Sequence, residues 1–474
     1  ITFSYMTDDG RPILGLDKIW EASSRDVRFT LAKLVVGTNG DPSSWVAYTR
    51  DDETGAPDYD TGSSLVDNGD GTYTFTMNTD VAAVEGVPYE PTLTHRLAGQ
   101  IASRDFDLEW QNPVFDFVPA GGALPATRSI AVMDSCNECH DDLHFHGRRF
   151  KVEYCVNCHN PDLAEGEGNM SFMTHRIHSA GSFDILDNAI DYSEVTYPQD
   201  LANCAKCHDG ADADTPDGDN WKNLPNIAAC SGCHGDSDDW RDGEHVPVTS
   251  NAQCSTCHPS EAIEEYHTTA NSTPNNPLLL EDQRNIMYEL IDAFEDKGDL
   301  VIEFRITADG TPLDMANLPG DLALPGRYPG FLLAWAEEQD GIEEPADFTN
   351  TGMRGAQPIS IGIDDFSPIS QNGVVGNITY DAGTGVNTAT ITTEHFPFGA
   401  TMRTVGLQGY FRQDVDEDGS YEYSLHTPSK VVTVDGDTER RVVVDNAKCG
   451  ACHEWFEGHG GNRVYEMAIC TMCH

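Results

Sequence analysis

All fourteen cysteines of this sequence fall into seven Cys-x-x-Cys-His strings, with none left over. The strings end in His140 (Cys136, Cys139), His159 (Cys155, Cys158), His208 (Cys204, Cys207), His234 (Cys230, Cys233), His258 (Cys254, Cys257), His453 (Cys449, Cys452) and His474 (Cys470, Cys473). Two thiols at this spacing can each form a thioether to one vinyl group of the same porphyrin, and the adjacent histidine then sits beneath the iron as an axial ligand. Zinc sites, disulfides and redox dithiols also use paired cysteines, but none needs a histidine after every second one. The expected cofactor is therefore haem c, seven copies, covalently bound. Haem c is attached on the far side of the cytoplasmic membrane, so the expected site of action is periplasmic, cell-surface or extracellular.

Seventeen histidines less seven proximal ones leave ten for the opposite faces of the irons. The supply suits bis-histidine ligation, which saturates an iron and favours electron passage over substrate binding. The distal set expected here is His146, His175, His178, His245, His267 and His459, with one of His426, His395, His95 or His144 as the seventh. His146 and His459 each sit six residues after a proximal histidine and open similar strings, HGRR and HGGNR. His175 and His178 share one face if MTHRIH is a helix. On this reading His459 serves the haem of His453. The haem of His474 must then draw its ligand from the remaining four, within this copy or from a neighbouring one, or stay open.

These motifs need a scaffold, and residues 1–128 and 276–447 contain no cysteine. Both read as β-rich, with alternating runs such as GTYTFTMNT (71–79) and NTATITTEHF (387–396) broken by turn residues. The order repeats. FSYMTDDGRPI (3–13) resembles EFRITADGTPL (303–313), THRLAGQI (94–101) resembles MRTVGLQG (402–409), and each β segment leads into a double-haem string. The expected division is a β domain at 1–130, a pentahaem domain at 131–275, a β domain at 276–447 and a dihaem tail at 448–474. The tail is too small to bury a core alone and must pack on its own protein or a partner.

The CxxCH-x5-HG-x-R string, MTHRIH, YPQDLANCAKCHDG (197–210) and the opening GRPILGL…VRFTLAKL…DPSSW resemble the outer-surface decahaem cytochromes of the OmcA/MtrC family. The resemblance covers nearly the whole chain. It implies a mainly β fold with haem-packed irregular and helical segments, in which two Greek-key-like split-β-barrel domains alternate with multihaem c domains. It also implies closely packed bis-histidine haems and surface transfer to metal oxides, flavins or electrodes. Three departures stand out: two haem motifs where the family's second haem domain has five, no cysteine pair for the family's barrel disulfide, and no lipobox cysteine.

Composition limits the partners. With 79 acidic and 28 basic residues the formal charge is −51, which repels nucleic acid and anionic lipid. No stretch approaches the ~20 apolar residues that span a bilayer. The run from Ile1 reads as a strand, so an export leader is expected to lie outside this sequence. Asp414, Asp416 and Asp418 open like a calcium loop, yet the twelfth position is Leu425 rather than Glu, which favours a solvated acidic turn over a Ca2+ site. The function expected is an electron conduit rather than a substrate-specific enzyme. Its partners would be other redox proteins or further copies of itself, with a polymeric wire if the last haem is ligated in trans. The contrasting class is a reductase of a small oxyanion at an open haem of His474.

Overall fold

The computed structural model describes the chain apart from residues 104–107, 187, 236–239, 241–244, 249, 269–282, 324–327, 339–344, 351–356, 368–372, 394, 416–421, 424–426 and 455, and the side chains of 422 and 423. Its contacts divide into two compact units, Ile1–Tyr197 with Leu201–Thr268, and Pro198–Asp200 with Thr269–His474.

In the first unit an antiparallel sheet runs in the order Ser44–Ala47, Val27–Val35, His95–Ser103, Leu108–Gln111, and Val114–Phe117 also pairs with the His95–Ser103 strand. A three-stranded sheet of Thr2–Ser4, Thr72–Thr76 and Ser64–Asp67 packs its Tyr73 and Phe75 with Val27 and Phe29. In the second unit one sheet orders Ile286–Asp296, Asp299–Ala308, Val386–Ile391, Gly376–Asp381, and another orders Ile359–Gly362, Gly330–Ala336, Thr401–Gln408, Lys430–Thr433. The fold is mainly β with short helices, as the family resemblance implies, and among the described residues no sheet closes on itself into a full barrel. Phe29 also forms an isolated antiparallel bridge with Asp60, in which the amide of each residue bonds the carbonyl of the other.

The central strands show how haem-bearing segments join the sheets. Every residue of Gly330–Ala336 is buried, as expected of a strand covered on both faces. Phe331 and Leu333 enter the main core, while Leu332 and Ala334 pack against Ile469 and Met472 of the tail helix Met467–Thr471 and the residue that follows it. Ile469 and Met472 are both 0% exposed, each worth roughly 1.5–3 kcal/mol of burial. Asn350 fixes the docking: its Nδ2 donates to Met472 O at 2.6 Å, while its Oδ1 accepts from Trp335 N at 2.8 Å. The first unit repeats the device. Ala32, Leu34 and Trp45 pack on Val156 of the helix Val152–Cys158, and Asn157 Nδ2 donates to Thr30 Oγ1 at 3.0 Å. Each second haem motif is therefore a lid on the sheet that precedes it.

Candidate haem sites

Most haem strings occupy short helices: Met133–His140, Val152–Cys158, Ile227–His234, Cys254–Cys257, Asn446–Gly450 and Met467–Thr471, with Cys204–Lys206 a 3-10 turn. One helical turn sets the two sulfurs and the histidine of each string toward a common side. No disulfide joins any of the fourteen cysteines. Burial pushes the Cys158 and Cys204 thiols up to about 12 and those of Cys155 and Cys207 up to about 11. Such surroundings disfavour a thiolate ligand or nucleophile and suit an uncharged thioether.

Six of the seven proximal histidines face a second imidazole. The pairs are His140–His178, His159–His146, His208–His175, His234–His267, His258–His245 and His474–His459, with ring centres 6.1, 5.9, 6.1, 6.0, 6.2 and 6.0 Å apart. Their interplanar angles run from 9° to 82°. Direct ring packing would tie distance to angle; here the distance is constant while the angle varies. Two metal–imidazole bonds of roughly 2 Å leave ring centres about 6 Å apart whatever the rotation. The side chains thus fit an iron between each pair.

Local structure aims these rings. His175 and His178 lie on the helix Met170–His178, whose N-cap Asn169 accepts from Ser171 N. That helix packs so closely on Ile227–His234 that Gly232 meets the His175 side chain directly. His146 and His459 both adopt left-handed backbone, φ 47° and 56°, each followed by left-handed glycine. A non-glycine residue held there is uncommon and strained, a feature that clusters at functional sites. Several rings are oriented from behind: the Nδ1 atoms of His159, His267 and His245 lie 3.0, 2.9 and 2.7 Å from the carbonyls of Gly168, Ile263 and Val246. A carbonyl can only accept, so Nδ1 carries the proton and Nε2 is left to a metal. Burial brings His159 and His208 down to about 4, keeping both in the neutral, ligating form.

Partner assignment differs from the sequence expectation at the tail. His459 faces His474, and it is His453 that faces no imidazole among the described residues. The His453 ring is exposed, with Nδ1 3.2 Å from Pro198 O in the same unit. The signal was present in the first module, where His146 faces His159, thirteen residues ahead, and not His140, six residues behind. Of the four reserve histidines, His95 is buried, with Nε2 3.2 Å from Tyr48 Oη. His144 is exposed beside Trp110, and His395 lies 3.7 Å from Glu295. His426 lies outside the described residues, as do Asp416 and Asp418 of the acidic turn. Asp414 lines a cleft with Arg284, Asp309 and Asp321, and no cluster of three or more His, Cys, Asp or Glu fit for a metal ion occurs among the described residues.

Residues 128–272 match the family of outer membrane cytochromes described as MtrC/MtrF-like, domains II/IV. The chain is 26% identical over 329 residues to the multiheme cytochrome MtrC of Shewanella baltica, a match that covers 67% of this chain and 46% of the relative; the chain thus spans less than half of that curated protein. Among solved structures it resembles MtrC from Shewanella baltica OS185, with a TM-score of 0.66 at 18% identity over 98% of this chain and 76% of that one. It also resembles the outer membrane decaheme cytochrome OmcA, with a TM-score of 0.65 at 21% identity over 100% of this chain and 75% of the other. No helix among the described residues is long and apolar enough to cross a membrane. The chain is thus similar to the OmcA/MtrC multihaem cytochromes in the sequence of residues 128–272 and in its fold.

Proposed function

We propose that this chain is an electron conduit at the cell surface, carrying seven covalently bound haems and passing electrons to acceptors outside the cell such as metal oxides, flavins or an electrode. The observation that carries the reading is the constant spacing of six imidazole pairs. Bound haem supplies one-electron iron chemistry. The chain's own residues fix the rest: fourteen cysteines tether, paired histidines hold the rings of each site, and the two sheets support the second haem string of each module. The names of the relatives support the surface location, since the matched family and the structural neighbour OmcA are described as outer membrane cytochromes.

The seventh distal ligand belongs to the iron of His453. Its counterpart by position in the repeat is His140, which is faced by His178 on a helix following the second haem string. A helix of that kind, from this polypeptide or another, is the ligand source this reading assigns. Ligation by another copy, if used, would therefore act at His453 and not at His474. The exposed His453, unfaced among the described residues, is also where the oxyanion-reductase reading would have to place its substrate. Spectra of the purified holoprotein separate the two. A conduit gives low-spin haem throughout, unmoved by nitrite. A reductase gives one high-spin iron whose spectrum shifts on adding nitrite.

A further inference from the structure

Arg149 is 8% exposed and lies three residues after His146. Its neighbour Arg148 is paired with Asp26 at 2.9 Å, but among the described residues Arg149 has no carboxylate partner, and neither does half-buried Arg28 beside it. Arg149 Nε and Arg28 Nη2 both donate to the single neutral oxygen Gln100 Oε1, at 3.2 and 2.9 Å. Arg28 Nε, Gln100 Nε2 and Tyr154 Oη are buried in the same region with no hydrogen-bond partner. Aromatic faces also lie against them, the Tyr59 ring 4.2 Å from Arg28 and the Tyr154 ring 4.9 Å from Arg149.

A buried and a half-buried guanidinium without a counter-ion are costly, because burial of an unpaired charge is unfavourable and arginine does not deprotonate to relieve it. The cost is out of character for a chain of charge −51, in which carboxylates outnumber cations. The missing anion has to come from something other than the described polypeptide. Its place is defined: Arg149 lies three residues after His146, which faces His159, and against the ring of Tyr154, the residue before Cys155. The second unit repeats the arrangement. Arg463 lies in the matching HGGNR string, four residues after His459, which faces His474. Its Nε and the nearby Gln408 Oε1 are buried without partners, and Gly409 N bonds Asn462 O at 2.8 Å, bringing the two segments together.

We propose that Arg149 and Arg28 form a buried clamp for a propionate carboxylate of the haem at Cys155 and Cys158, and that Arg463 serves the haem at Cys470 and Cys473 in the same way. The proposal rests on the haem reading above. Guanidinium matches carboxylate in a two-pronged geometry. A fixed positive charge beside an iron disfavours its ferric state, so these two haems are held at higher potential than they would otherwise have. The clamps are positioning and tuning groups, and both sit on the haem string that lids a sheet.

The test uses the full holoprotein and the variants Arg149→Met, Arg149→Lys and Arg463→Met, in redox titrations with NMR resolution of individual haems. Arg149→Met is expected to move one haem of seven to lower potential, at least tenfold in its oxidised-to-reduced ratio at fixed potential (59 mV for one electron). Arg149→Lys is expected to restore most of that shift. Arg463→Met is expected to move a different haem, which keeps the proposal testable if the Arg149 variants fail to fold. Superimposable titrations with all seven haems still attached by mass would overturn the clamp and leave the haem reading standing. A wild-type chain without haem mass would overturn both. So would a holo structure with Arg149 on a protein carboxylate or a chloride ion overturn the clamp.

Discussion

Gly232 lies between the two cysteines of a haem string and carries the contact between two helices, which makes Gly232→Ala a sharp perturbation. A Cβ there would lie 2.5 Å from His175 Cβ, 3.0 Å from Phe172 O and 3.3 Å from Arg176 N. The first of these is closer than real Cβ contacts come, and two of the three neighbours are backbone atoms, so the helix Met170–His178 has to move as a body. Overpacking of this kind costs about 1–3 kcal/mol, and alanine returns about 1 kcal/mol of helix propensity over glycine. The net destabilisation is about 0–2 kcal/mol, or roughly 2–4 °C in melting temperature per kcal/mol for a unit of this size. The larger consequence is local. His175 faces His208, and pushing its Cβ away stretches that site, so one haem should gain high-spin character. EPR spin counting alongside thermal melts checks this, with Gly232→Val as the stronger version. Fully low-spin spectra and unshifted melting in both variants would refute the packing argument and the assignment of His175 to that haem.

Three further outcomes are expected. His459→Ala should convert one haem to high spin, but should add none in a background where Cys470 and Cys473 are replaced by Ala, because His459 faces His474; an additional high-spin haem in that background would return His459 to the iron of His453. Asn350→Ala leaves Met472 O and Trp335 N without their partner and should cost about 1–3 kcal/mol, read by melting of the second unit with haem stoichiometry unchanged. Asp60 is 5% exposed; burial alone would raise its carboxyl, but bonds from Thr79, Gly62 and Asn78 hold it below the usual carboxylate range. Because the folded value lies below the unfolded one of about 3.9, its contribution is complete above about pH 5 and is lost as pH falls through the folded value. Asp60→Asn should therefore lower stability at neutral pH and flatten the acid limb of the stability profile.

The haem strings were legible because covalent chemistry leaves a fixed local spacing, and the β modules because alternation and turn residues recur at both ends of the chain. Partner choice was less legible. His459 stands six residues from one proximal histidine and fifteen from another, and proximity in sequence favours the first; the left-handed turn at His459 and the docking of Ile469 on Leu332 and Ala334 select the second. Composition changes abruptly near 130 and 448, yet Val156 and Asn157 bury against the sheet of the first unit and Met472 against that of the second. Packing ties each haem string to its sheet across the compositional break. The unpaired guanidiniums had no sequence signal beyond the repeated HG…R string, since a missing counter-ion becomes visible only when the neighbours are placed.

Paired imidazoles enclosing irons held by thioethers are the feature on which electron passage through this chain depends. Intact-protein mass spectrometry of material purified from the native host, followed by EPR of the oxidised form, tests it most directly. The added mass of seven covalently attached haems is expected, with at least six irons low-spin. A polypeptide without that mass, or one whose haems are mainly high-spin, would contradict it.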